Sequence, residues 1–213
     1  TDSNDPVSVT PEQLPALANL AQEHCTVPFV LPCLRSASVY PSMKHQVKEM
    51  MLNYYQIEHF TRTTVSLLRE NHIDCYLLKG LSLADCYPVP EYRKLGDLDL
   101  YLAEPEMLSQ AQTVLESNGY ILQDELSDHH VTYYYTFPKT GRRFILELHY
   151  RVVGQYQYSR TNEIVDLVYS PAKLKKSAQS EMFFQFPYIF IGHSMHHIGF
   201  HQNIYIRIFI DCL

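Results

Sequence analysis

Lys94-Leu95-Gly96-Asp97-Leu98-Asp99-Leu100-Tyr101-Leu102 is the stretch around which the chain is organised. From Asp97 to Leu100 it alternates acid and leucine. A strand turns successive side chains to opposite faces, so this pattern predicts a strand with Asp97 and Asp99 on one side and Leu98 and Leu100 on the other. The two carboxylates would then stand roughly 6–7 Å apart. Like charges on one face repel unless a cation lies between them. Hard oxygen ligands favour Mg²⁺ or Mn²⁺ over zinc. An isolated Asp-x-Asp is also compatible with an edge strand that has a solvated acidic face, so the neighbouring residues must decide.

Upstream, Tyr87-Pro88-Val89-Pro90-Glu91-Tyr92-Arg93 holds two prolines and reads as irregular chain. Before it, Ile73 to Leu78 reads as a buried strand ended by Lys79-Gly80, and Leu81 to Cys86 as a short helical turn. A long helix from Ser42 to Asn71 is expected from apolar residues at helical spacing, among them Val47, Met50, Tyr54, Ile57, Phe60, Thr64 and Leu68. Thr10-Pro11-Glu12-Gln13 has the form of a helix start, with a helix to about His24, and Pro28 and Pro32 break the pattern after it. Downstream, Glu104-Pro105-Glu106 opens a helix to about Asn118, with Gly119 as its cap. Tyr120 to Leu122 is a short strand. Val131 to Phe137 and Arg142 to His149 form a hairpin through Pro138-Lys139-Thr140-Gly141. A short helix near Asn162 to Tyr169 and a long apolar helix from about Pro187 complete the chain. The expected class is α+β, with an N-terminal helical segment at 1–71, an α/β core at 72–153 and a C-terminal helical segment at 154–213.

Three further positions bear on the acidic pair. Glu147 is an acid inside the apolar run Phe144 to Tyr150, and a buried carboxylate needs a metal, a partner or a raised pKa. If its strand lies beside the Asp97 strand, three carboxylates share one sheet face and can bind two divalent ions. The alternative is an ion pair between Glu147 and Arg142 or Arg143. Lys79-Gly80 offers a point charge and a turn whose backbone can approach a phosphate. Arg93 either contacts phosphate or neutralises the acids.

Leu77-Leu78-Lys79-Gly80, Tyr87-Pro88, Arg93, Gly96-Asp97-Leu98-Asp99-Leu100, Gly119-Tyr120 and Glu147-Leu148-His149 together resemble NTP transferase family 5, a family of uncharacterised nucleotidyltransferases within the polymerase-β-like superfamily. The similarity covers roughly Tyr40 to Leu213. It implies a small mixed sheet with flanking helices. It also implies metal, Mg²⁺ or Mn²⁺, on Asp97, Asp99 and Glu147, and an NTP substrate near Lys79, Gly80 and Arg93. The wider superfamily carries Gly-Ser at the phosphate turn; here the residues are Lys79-Gly80. Family members extend further at the C-terminus. The chain also begins without Met and ends in the apolar Ile210-Asp211-Cys212-Leu213, as a fragment or processed chain would.

Composition narrows the partners. The 213 residues, 46% of them hydrophobic, suffice for a sizeable core, and the net charge of −6 argues against long nucleic acid as a partner. Cys25, Cys33, Cys75, Cys86 and Cys212 have no paired spacing, which suits reduced thiols in the cytoplasm. No apolar run reaches a membrane span. His193, His197 and His201 fall on one helical face with His196 near it and invite a His-metal hydrolase reading, but packing or cleft-lining within a helical bundle is the favoured reading. His129-His130, after Asp128, reads as a loop or strand edge. The expected activity is transfer of an NMP from an NTP to an acceptor hydroxyl on a small molecule, peptide or protein. The competing class is a non-catalytic interaction module, antitoxin-like or regulatory, that meets a protein partner through its helical segments.

Overall fold

The computed structural model describes residues 9–102, 104–123, 127–152 and 154–168. The fold is α+β, a five-stranded mixed sheet with helices. The helices are α1 (Leu14–Glu23), α2 (Val27–Val30), α3 (Tyr40–Glu70), α4 (Leu81–Ala84), α5 (Leu108–Ser117) and α6 (Ser159–Val168). The strands are β1 (Cys75–Leu77), β2 (Leu98–Leu102), β3 (Tyr120–Leu122), β4 (His130–Thr136) and β5 (Arg143–His149). The histidine-rich stretch from His193 to His201 and the helix expected from Pro187 lie outside the described residues.

The sheet order is β1-β2-β5-β4-β3. β2 and β5 run parallel at its centre, and every other neighbouring pair is antiparallel. Alternation divides the residues of these strands between two faces. Leu98, Leu100 and Leu102 of β2 and Phe144, Leu146 and Leu148 of β5 join one apolar cluster with Tyr54, Ile57, Phe60, Val65 and Leu68 of α3 and Ala111 and Leu115 of α5. Phe60 lies at its heart, stacked on Tyr120, Tyr135 and Phe144 with ring centroids 6.2, 5.8 and 5.1 Å away. The N-terminal half of α3 contributes Met43 and Val47 to a second cluster with α1 and α2. The 31-residue α3 thus serves both clusters.

Most elements fall where periodicity puts them. The chain around Pro28 and Pro32 is the exception. Instead of only breaking the pattern, it forms α2 and a 3₁₀ turn at Leu31–Leu34, each with proline in its first turn. There the missing N–H has no helical partner to lose. The expected start at Thr10 is partly realised. The Gln13 side chain accepts the Thr10 backbone N–H at 3.0 Å, but the α-helix begins at Leu14. Likewise the chain after Pro105 makes a 3₁₀ turn before α5. Among the described residues, no helix is long and apolar enough to cross a membrane.

Candidate active site

The face of the sheet opposite the apolar cluster carries the chemistry. Asp99 of β2 and Glu147 of β5 are register partners across the central parallel pair, so their side chains stand side by side. His149, two residues beyond Glu147, shares that face by the same alternation. His130 of β4 is the register partner of His149. Asp97 lies one residue before β2, in the bend that feeds it, rather than within the strand.

Lys79 enters from the chain that follows β1. The Leu78 amide donates to the Asp99 carbonyl at 3.2 Å, which extends the β1–β2 pairing by one step and delivers the next residue to the acids. The Lys79 Nζ lies 3.0 Å from Asp99 Oδ1. Gly80 then turns with φ +69°, a left-handed conformation that disfavours side-chain-bearing residues, and α4 starts directly after it. His149 Nε2 lies 3.4 Å from both Asp99 Oδ1 and Glu147 Oε2, while its Nδ1 is 3.3 Å from the Arg151 carbonyl.

The Lys79 ammonium and the His149 ring therefore face the carboxyl groups, and the pKa shifts follow. Burial opposes the charge of Asp99, but Lys79 and His149 outweigh it and hold that carboxyl well below its ordinary value. Asp97 goes the other way: repulsion from Asp99, reinforced by burial, pushes it up to about 6. Burial opposes the charges of Lys79 and His149 as well, yet the surrounding carboxylates raise both pKa values. Glu147 is lowered, its burial offset chiefly by the hydrogen bond from His149.

The donor set fits a divalent cation. Asp99 is 3% exposed, and neither of its carboxylate oxygens has a well-directed hydrogen bond. His149 Nε2, also buried, reaches Asp99 and Glu147 only at 3.4 Å. Such atoms are costly to bury without a partner. Potential ligand atoms of Asp99, Glu147 and His149 lie within 4.8 Å of one another.

The sequence-derived residues thus fall into two groups. The structure brings Lys79, Asp99 and Glu147 together, with Asp97 close enough for repulsion from Asp99 to dominate its pKa. Arg93 is buried at 4% exposure at the end of the 3₁₀ turn Pro90–Tyr92. The alternative ion pairs for Glu147 do not form. Arg142 donates to Gln56 and Asn53 of α3, and Arg143 lies over the Tyr134 ring at 4.7 Å. Sequence reasoning left His149 out of the site. The period-2 rule applied to Asp97 and Asp99 would have found it, because it stands two residues from Glu147 on the same strand. A hollow of about 480 Å³ along α3, lined by Arg62, Thr63, Ser66 and Tyr135, is not lined by Asp97, Asp99 or Glu147.

No curated protein and no solved structure matches the chain. Residues 10–211 match the family described as uncharacterised nucleotidyltransferase, a span that takes in every residue of the acidic site. The chain belongs to that nucleotidyltransferase family.

Proposed function

We propose that this protein transfers a nucleoside monophosphate from an NTP to an acceptor hydroxyl, with Asp97, Asp99 and Glu147 holding divalent metal. The observation that carries this reading is the pairing of Asp99 with Glu147 on a sheet face that also receives Lys79. Those are the residues through which the chain resembles its family. When bound, Mg²⁺ or Mn²⁺ would neutralise charge on the triphosphate and on the departing pyrophosphate.

The chain's own residues have distinct tasks. Lys79 is a point charge whose stem is anchored by the β1–β2 pairing, so it can shift from Asp99 to a phosphate oxygen with little rearrangement. The Gly80 turn lets the backbone approach that phosphate, and this reading assigns Arg93 as a further positive charge for the triphosphate. Glu147, 23% exposed at its side chain, is the base that accepts the acceptor's proton. The acceptor oxygen bonds to the α-phosphorus, the bond from that phosphorus to the bridging oxygen breaks, and pyrophosphate leaves. Catalysis is then mainly positioning and charge neutralisation. The acceptor hydroxyl belongs to a small molecule, peptide or protein, and the reaction belongs to the cytoplasm.

A second reading has its own support. The Lys79–Asp99 ion pair already neutralises part of the acidic face, which suits a nucleotidyltransferase fold retained for association. Calorimetry with ATP, GTP, CTP and UTP in Mg²⁺ separates the two. Nucleotide binding that is lost in Asp99→Asn, with pyrophosphate release lost in parallel, supports the enzyme. Absence of binding to all four supports the interaction module.

A further inference from the structure

We propose that His129, His130 and His149 form a second metal site, for a borderline first-row divalent ion of the Zn²⁺ class, beside the carboxylate cluster. The proposal does not depend on nucleotidyl transfer. The three rings converge where the start of β4 meets the end of β5. Ring centroids lie 4.3 Å apart for His129 and His130, 5.1 Å for His130 and His149, and 5.6 Å for His129 and His149. One nitrogen from each ring lies within 4.8 Å of the other two. A tetrahedral ion with Zn–N bonds of about 2.0–2.1 Å sets those nitrogens roughly 3.3 Å apart. Closing the difference draws on histidine χ2, a soft torsion.

Three imidazoles are a nitrogen donor set, which selects zinc, copper, iron or nickel over magnesium. Two observations separate this set from a chance grouping of rings. First, His130 Nδ1 is buried without a hydrogen-bond partner among the described residues, and the His149 ring beside it is 4% exposed. Second, the ring orientation is built. Asp128 Oδ1 lies 2.6 Å from His129 Nδ1, and Asp128 Oδ2 accepts the Gln155 amide at 2.7 Å. A carboxylate that accepts the hydrogen bond from Nδ1–H fixes the tautomer that leaves Nε2 as the coordinating nitrogen, the arrangement in which outer carboxylates orient histidine ligands. The backbone around it is fixed as well. The His129 carbonyl accepts the Tyr150 and Arg151 amides at 3.0 and 3.1 Å, and Ser127 Oγ accepts the His130 amide at 2.9 Å.

His149 belongs to both sets, since its Nε2 also faces Asp99 and Glu147. An ion on the three histidines would withdraw that nitrogen from the acids, so the two sites communicate through one ring.

The test is titration of the metal-free full chain with Co²⁺, read by its visible d–d absorption, and with Zn²⁺ in competition. The expected result is one Co²⁺ per chain with the intense tetrahedral spectrum, displaced by Zn²⁺, distinct from weakly absorbing octahedral Co²⁺ on the carboxylates. Binding is lost in His130→Gln and in His129→Gln and persists in Asp97→Asn and Glu147→Gln. Asp128→Asn weakens it about 10–100-fold. Circular dichroism melts of the metal-free proteins verify that each variant folds. No Co²⁺ binding overturns the proposal. So does binding that survives both histidine variants but needs Glu147, because the ion then belongs to the carboxylates. Mg²⁺-nucleotide calorimetry on the same samples reports on the transferase reading separately.

Discussion

Replacing Lys79 with Met isolates the interaction that lets the acidic face exist without a bound cation. Lys79 Nζ lies 3.0 Å from Asp99 Oδ1, and the two side chains are 21% and 1% exposed. At an effective dielectric constant of 20, two unit charges at that distance attract by about 5–6 kcal/mol before desolvation. Methionine keeps the stem and removes the charge. Asp99 is then left with His149, whose Nε2 is 3.4 Å away. Breaking one side of a buried pair costs about 3–5 kcal/mol, and the partial exposure of Lys79 puts the expected loss near 3 kcal/mol. Asp99→Asn should cost less, because the raised pKa of Lys79 draws on Asp97 and Glu147 as well as Asp99. The double variant should therefore be more stable than the sum of the two losses by about 2 kcal/mol. Urea unfolding at pH 7 without divalent ions reads this directly, and 3 kcal/mol corresponds to a midpoint shift of about 1 M or more. The sign with pH is fixed. A carboxyl held below its ordinary value stabilises the fold above the unfolded pKa, and that contribution is lost as pH falls through the folded value. The gap between wild type and Lys79→Met should thus close through and below the carboxylate range. Additive losses within about 0.5 kcal/mol, or a gap independent of pH, would refute the reasoning.

Asp97 should behave in the opposite sense. Its pKa is pushed up to about 6, so the folded chain binds a proton there that the unfolded chain has released. Stability from this group is present below about pH 4 and is lost as pH rises to about 6. Asp97→Asn should therefore stabilise the metal-free protein at pH 7 by about 1–3 kcal/mol and change little at pH 4; thermal melts at both values check it. Away from the site, Phe60→Ala should cost about 3–5 kcal/mol, because the ring is 1% exposed and stacks on three aromatic neighbours. A loss under 1 kcal/mol in urea unfolding would mean that α3 does not anchor the sheet as described.

The elements were legible because their periods are strong. Val47 to Leu68 marks a helix, and Asp97 to Leu100 an alternating strand. The pairing of β2 with β5 was not, because 40 residues separate the end of one from the start of the other and no local signal specifies a parallel neighbour. Glu147 entered the site on the condition that its strand lay beside Asp99, and the register meets that condition. His130 opposes His149 in the hairpin that the sequence does signal, but the expected strand began one residue later, at Val131, and so His130 read only as part of a loop or strand edge. Arg142 and Arg143 were plausible partners for Glu147 by sequence proximity alone. Arg142 instead reaches α3, whereas Arg143 meets the Tyr134 ring.

The central claim is that the face bearing Asp99 and Glu147 holds a divalent ion together with a nucleoside triphosphate. The most direct measurement is electron paramagnetic resonance of Mn²⁺ titrated into the full chain, with and without a non-hydrolysable NTP. It should be run on wild type, Asp99→Asn and Glu147→Gln, each verified as folded. The account predicts bound Mn²⁺ in wild type, tightened by the nucleotide, and loss of both effects in each variant. Mn²⁺ binding that is indifferent to Asp99 and Glu147, or no nucleotide effect in wild type, would contradict it.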